Sequence, residues 1–309
     1  MAKTRFSKVL FLAVDVLFKH PQNPRKLYKK YSQDVICEKD VVFDETIPDI
    51  KLDAYHVERS EGKYPVIFEI HGGGFSAGDK KYRTVLCNWF AKETGAYVFN
   101  VNYGLGGEII FPDPLIHLVK AFNWVVANAE KYNLDLDKML VTGDSAGAYY
   151  ASALSVYNDC PAMQEACKTP MNGRFSGAVF NCGIYDLQLA LGVKVLFNLT
   201  DQVCQDFSGI IPKDFETYPY KEAVDPINYV TDKFPKSMIV YSEKDIFCGG
   251  QGEALVKKLR EAGVYEEHYA SKNFLDNHTF SLTWSSKAAK EANEQIMSFI
   301  KRFFNGEIE

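Results

Sequence analysis

The chain has 309 residues, 47% of them hydrophobic, which suits one large α/β domain with a smaller attached element. Its formal net charge is −5 and its basic residues read as scattered, so composition offers no electrostatic footprint for a nucleic acid or an anionic membrane surface. Seven cysteines without a CxxC pair argue against a disulfide framework and a structural zinc site; they read as small buried hydrophobes in a reducing, cytoplasmic setting, with secretion left open.

At the N-terminus, Lys3, Arg5 and Lys8 precede the apolar run Val9 to Val14, as in a secretory signal, but Asp15 interrupts the run and Lys19-His20-Pro21 replaces a small-residue cleavage site. An amphipathic helix is the expectation there. No other stretch approaches the ~20 apolar residues of a membrane span. Two strands are expected around Asp34 to Phe43 and Lys51 to Glu58, then a short β-rich run, Val66 to Ile70, that stops at His71-Gly72-Gly73-Gly74. A helix from about Lys81 to Lys92 leads to strand Tyr97 to Val101. Leu115, Leu118, Phe122, Val125 and Ala129 then recur at three and four residues, the period of a helix with one buried face, before strand Met139 to Thr142.

The alternation resumes with strands Gly177 to Phe180 and Ser237 to Tyr241, a helix around Glu253 to Glu261, strand Val264 to Tyr269 and a last amphipathic helix from about Ser286. Apolar strands alternating with helices predict a mostly parallel sheet covered on both faces, with active groups on loops beyond the strand C-termini. Only Asp186 to about Val230 breaks the rhythm. It is too long for an ordinary connection and reads as a lid built together with the N-terminal helix. No linker or internal repeat is visible, so residues 1–309 read as one domain, with a cap from about 1–33 and 186–230.

Gly143-Asp144-Ser145-Ala146-Gly147 lies between a strand and the helix-compatible Ala148 to Leu154. This GxSxG spacing lifts a serine hydroxyl on a strained strand-to-helix turn, and the flanking glycines remove Cβ atoms that would collide. The N–H of Ala146 then falls at a helix N-terminus, where partial positive charge favours an oxyanion. A second source of donors is the triple-glycine segment His71 to Phe75; no Gly-Lys-Ser/Thr follows it and its spacing is not that of a dinucleotide fingerprint. Where a GxSxG serine follows a parallel strand in this way, the triad runs serine, acid, histidine along the chain, so the expected base follows Ser145, which leaves His268, in mid-strand, and His278, in the polar loop Asp276 to Phe280. His278 is the choice. Asp245, just past strand Ser237 to Tyr241, is the expected acid, with Glu243 as a rival; Asp225 reads as a turn residue before Pro226.

With those residues placed, the chain resembles the hormone-sensitive-lipase-like (HGGG) esterases and lipases of the α/β-hydrolase fold over roughly residues 65 to 300. His71 to Phe75 matches HGGG, Gly143 to Gly147 matches GDSAG, and Tyr103 to Glu108 with Phe111-Pro112 resembles the YRLAPE and FP segment. Asp245 falls where the family has its DPL acid, and His278 with Phe280 where it has HGF. The resemblance implies Ser145, Asp245 and His278 as the triad, oxyanion donors at Gly73, Gly74 and Ala146 with Gly72 in support, and hydrolysis of short- to medium-chain acyl esters, acetyl or aryl ones included, without a cofactor or metal. Gly104, Gly106 and Gly107 depart from YRLAPE, Ile246 replaces the proline after the acid, and His117 stands where an aspartate is usual.

The expectation is therefore a serine carboxylesterase acting on a small-molecule ester, with no nucleic-acid partner and a homodimer left open. Amide or peptide hydrolysis and acyl transfer use the same groups, and a catalytically silent receptor on this fold is the remaining alternative. Phe197, Phe207, Phe215, Tyr218 and Tyr220 in the cap segment either line an acyl pocket or form the small core of the cap.

Overall fold

The structure, a computed structural model, describes residues 6–192 and 198–308. Eight strands form one sheet: β1 (Val35–Val42), β2 (Lys51–Val57), β3 (Tyr64–Ile70), β4 (Tyr97–Val101), β5 (Leu134–Asp144), β6 (Gly177–Asn181), β7 (Lys236–Ser242) and β8 (Glu266–Ser271). Their order across the sheet is β1-β2-β4-β3-β5-β6-β7-β8. The antiparallel pairs are β1–β2 and β2–β4 and the other five are parallel, so the expected α/β class with a mostly parallel sheet is what the chain adopts.

The central strands are apolar because both of their faces are covered. All seven residues of β3 are buried. Val66, Phe68 and Ile70 point into one core layer, and Ile67 between them points into the other, as the two-residue period of a strand requires. The first layer is roofed by α4 (Asp113–Ala127) and α5 (Ala146–Val156), the second by α3 (Thr84–Thr94) and α10 (Lys287–Asn305). Ser286 starts α10 by accepting the N–H of Ala289, and Gly306 ends it at φ 75°.

The two edges differ from the centre. On β1 the register slips between Glu38 and Val41, where Asp40 takes φ 56°. On β8 the edge sequence is Glu266-Glu267-His268, two residues further along than the apolar pattern from Val264 suggests. Glu266 pairs with Arg260 at 2.6 Å and Glu267 with Arg302 at 2.7 Å.

Parallel register brings Ile70 level with Gly143 on one side and Val101 on the other, and Asp144 level with Asn181. The C-terminal ends of β3, β5, β6 and β7 therefore form one rim. Over it lie α1 (Phe6–Gln22), α7 (Leu187–Leu191) and α8 (Leu199–Ser208). The N-terminal segment is a helix, as expected. Among its described residues, the stretch read as a single irregular excursion contains α7, α8 and the 3-10 turns Pro212–Thr217, Lys221–Ala223 and Pro226–Tyr229. Among the described residues no helix is long and apolar enough to cross a membrane.

Candidate active site

Ser145 stands between β5 and α5 with φ 53° and ψ −120°, a conformation that side chains other than glycine rarely adopt. The turn is held by the Ser145 N–H donating to the Asn181 carbonyl at 2.9 Å. Its glycines are required by space: a Cβ on Gly147 would lie 2.0 Å from the Ile70 carbonyl oxygen, and one on Gly143 2.5 Å from the Gly147 backbone. The Ser145 hydroxyl is 2.8 Å from Nε2 of His278, and Nδ1 of the same ring is 2.8 Å from Oδ2 of Asp245. All three residues named from the sequence thus meet in one linear array.

Charge and burial prepare the array for proton transfer. Burial alone pushes the Asp245 carboxyl up, but the His278 ring and the N–H groups of Cys248 and Phe247, 2.9 and 2.8 Å from Oδ1, outweigh it and hold the acid below its usual range. Asp245 is therefore a carboxylate and His278 Nδ1 carries the proton. Burial pushes the imidazole down while Asp245 pushes it up, and the net is a pKa above the ordinary value of 6.5. Asn277 fixes both loops at once: its Oδ1 accepts from the His278 and Ile246 N–H groups, and its Nδ2 donates to the Lys244 carbonyl. Glu243, the rival acid, is exposed and faces Lys272 at 3.7 Å. His268 sits on β8 beside Glu266 and takes no part.

Opposite the serine, each glycine of 72–74 has a separate reason. A Cβ on Gly72 would strike the Asp144 carboxylate at 2.4 Å, and one on Gly73 the Ala77 carbonyl at 2.1 Å. Gly74 (φ 58°) would put a Cβ 2.2 Å from the ring of Phe11, which descends from α1. The Gly72 N–H donates to Asp144 at 3.2 Å, so this residue anchors the loop. Ala146 begins α5, in the first turn where N–H groups have no intrahelical partner. His71 stacks on Tyr103 with ring centres 4.6 Å apart. Burial pushes the His71 pKa down to about 4, so its ring is neutral, and Nδ1–H donates to the Gly72 carbonyl at 2.8 Å.

Several residues here were not found from the sequence. Arg83 grips Asp144 with two hydrogen bonds of 2.6 Å, Nε to Oδ1 and Nη2 to Oδ2, with both side chains buried. Its remaining nitrogen reaches Gln22 at the end of α1 at 2.9 Å. Asp144 is visible in the GxSxG motif, but nothing local marks Arg83, 61 residues away, as its partner. Glu69, at the back of the turn, is a neutral acid because burial raises its pKa far above the usual range.

The departures around Tyr103 to Glu108 also have physical causes. The Gly104 N–H donates to Nδ1 of His117 at 3.1 Å. A Cβ on Gly106 would lie 2.3 Å from the Asp206 carbonyl of α8. Asp225 is more than a turn residue. Its buried carboxylate accepts the Leu187 N–H at 2.5 Å, tying the start of α7, and burial raises its pKa to about 6.

Among the described residues, the groups with metal-ligand chemistry that come together are Cys182, Asp245 and His278, with donor atoms within 4.8 Å of one another. Both ring nitrogens of His278 are engaged, Nδ1 with Asp245 and Nε2 with Ser145. Above the serine is an apolar cavity of about 70 Å³ lined by Phe11, Leu187, Leu191, Val203, Phe207 and Phe247, among others. Of the cap aromatics, Phe207 lines it; Phe215, Tyr218 and Tyr220 pack on one another instead. Phe197 lies outside the described residues.

Residues 52–259 match the family model described as BD-FAE. The chain belongs to the BD-FAE family. Among similar proteins of this BD-FAE chain is the probable carboxylic ester hydrolase LipM of Mycobacterium tuberculosis, 27% identical over 75% of this chain and 53% of that protein. Another is the versiconal hemiacetal acetate esterase of Dothistroma septosporum, 37% identical over 35% of this chain and 33% of that protein. The chain thus spans between a third and about half of the length of these relatives. Among solved structures, esterase B from Lactobacillus rhamnosis superimposes with a TM-score of 0.75 at 19% identity, covering 98% of both chains. These likenesses, with the strand order, give the BD-FAE chain the α/β-hydrolase fold and bear out its resemblance to the hormone-sensitive-lipase-like esterases.

Proposed function

We propose that this chain hydrolyses carboxylic esters through an acyl-enzyme on Ser145. The observation that carries the reading is the array Asp245–His278–Ser145, with 2.8 Å at each step, opening into an apolar cavity beside the triple-glycine loop. The hydroxyl proton passes to His278 Nε2 as Oγ attacks the ester carbonyl, and Asp245 stabilises the imidazolium that forms. The N–H groups of Gly73, Gly74 and Ala146 receive the negative oxygen. Collapse of the tetrahedral intermediate returns the proton to the departing alcohol, and a water repeats the sequence to release the acid.

Residues 1–33 and 186–230 act as the cap, because α1, α7 and α8 together supply most of the apolar lining. The cavity, of about 70 Å³, favours the short end of the acyl range and small acetyl or aryl esters.

The test is a chain-length series of chromogenic esters and matched anilides with wild type and Ser145→Ala. Ester turnover falling by about a thousandfold or more in the variant, with acetyl to butyryl esters preferred, is the expected result. Equal rates in the two proteins would remove Ser145 from the chemistry.

A further inference from the structure

We propose that α1 docks this protein on an anionic lipid surface, with the mouth of the cavity turned toward that surface. The helix has two apolar faces. Its inner face carries Phe11 over Gly74 and buries Ser7, which donates to Asp206 at 2.5 Å. Its outer face carries Val9, Leu12 and Val16, which recur at three, four and seven residues and therefore share one side of the helix, with Leu17 beside Val16 at the margin of that side. All four are exposed, Val16 by 67% and Leu17 by 71%. An exposed row of this kind on a surface helix marks a place of attachment.

The apolar surface continues onto the loops of the site. Phe11 meets Phe247 with ring centres 6.4 Å apart; beside it Ile246 is 55% exposed. Asn277 joins the Ile246 loop to the segment that carries Phe274 and Leu275, exposed by 74% and 84%. Exposed apolar side chains thus flank the loops that hold Asp245 and His278.

Charge selects the occupant. The first 31 residues hold eight Lys and Arg and one acidic residue, Asp15, within a chain whose net charge is −5. The scattered-charge reading from composition holds for the body and fails for this segment. Arg25, Lys26, Lys29 and Lys30 of α2 (Arg25–Tyr31), the helix that follows α1, are exposed. A second copy docked symmetrically on α1 would bring two strongly cationic segments together, whereas anionic headgroups attract them and the lipid interior takes up the apolar row.

The experiment does not rest on the esterase reading, because it uses the full chain as Ser145→Ala. Flotation with vesicles of phosphatidylcholine alone is compared with vesicles containing an equal part of phosphatidylglycerol. Binding to the anionic vesicles about tenfold stronger than to the neutral ones, and weakened by high salt, is expected. The double variant Val16→Asp with Leu17→Asp lowers it by about tenfold or more, and the triple variant Lys26→Gln, Lys29→Gln, Lys30→Gln lowers it by about tenfold. The Val16/Leu17 variant keeps the urea-unfolding midpoint of its parent, which separates loss of docking from loss of folding. Binding that ignores phosphatidylglycerol, or that survives the Val16/Leu17 change, overturns the proposal. Concentration-dependent dimers abolished by that same change, with no vesicle binding, would give the face to a second copy.

Discussion

The floor of the cavity is the end of a sheet, and its roof is a set of helices laid across that end. On the floor, Ser145 and the loop at Gly72 are joined through Asp144 and Arg83, a buried pair with two 2.6 Å contacts. The roof is held by separate hydrogen bonds, among them Ser7 to Gln202 and Asp206, Gln22 to Arg83 and Trp284, Phe207 to Phe111, and Asp225 to Leu187. On the proposed mechanism the floor sets the geometry of proton transfer, and the roof sets the shape of the space above it. Substitutions in the two should therefore fail in different ways, the first in kcat and stability, the second in substrate range.

The largest effect belongs to the floor. Asp245→Asn should lower kcat by about a thousandfold to ten-thousandfold, while Glu243→Gln, exposed and facing Lys272, stays within about twofold. The pH profile sharpens the assignment. On the proposed mechanism His278 acts as a base only when neutral, so kcat/KM should rise with pH through a pKa above 6.5 in the wild type. Removing the Asp245 charge moves that inflection to lower pH; an unmoved inflection would assign it to another group.

Breaking the buried pair comes next. Arg83→Met leaves Asp144 buried without its counter-charge, and urea unfolding should show a loss of about 3–5 kcal/mol, with kcat falling as the Gly72 loop loses its anchor. Stability unchanged in Arg83→Met would mean that the pair organises nothing.

A smaller effect separates roof from floor. In Gly74→Ala the new methyl meets the Phe11 ring, so activity drops; in the double variant with Phe11→Ala the steric part returns, while the left-handed backbone still costs about 1–2 kcal/mol. Phe11→Ala alone should keep kcat on acetyl esters within about threefold and extend turnover to longer acyl chains. Additive losses in the double variant would deny the contact.

Asp225→Asn has the smallest effect and the opposite sign. Because burial raises the folded pKa to about 6 from 3.8, folding favours the neutral acid; that contribution is complete below 3.8 and lost as pH rises through about 6, so at pH 7 the group is a carboxylate held buried at a cost. The amide keeps an oxygen for the Leu187 N–H, so the variant should gain about 1–2 kcal/mol at pH 7 and almost nothing at pH 4, read by urea unfolding at both.

What was legible in the sequence was whatever repeats or clusters within about ten residues. The all-buried strand before His71, the tight turn around Ser145 and the polar loop holding His278 each announce themselves locally. The cap was visible only as a stretch without rhythm, since short helices such as Leu187–Leu191 carry too few turns for periodicity to register. Arg83 and Phe11 were invisible for a different reason. One finds its partner 61 residues away, the other across the cavity, and neither leaves a pattern in its own neighbourhood. The cationic N-terminal segment was hidden by averaging over a chain of opposite net charge.

The two outer strands bear on how this protein behaves when crowded. A bare strand edge is a template for another chain, yet β1 is broken by its slipped register at Asp40 and β8 presents Glu266 and Glu267, tied down by Arg260 and Arg302, and His268 beside Glu266. Concentrated solutions should resist growth of sheets from molecule to molecule, and contacts between copies fall to surfaces other than the ends of the ladder.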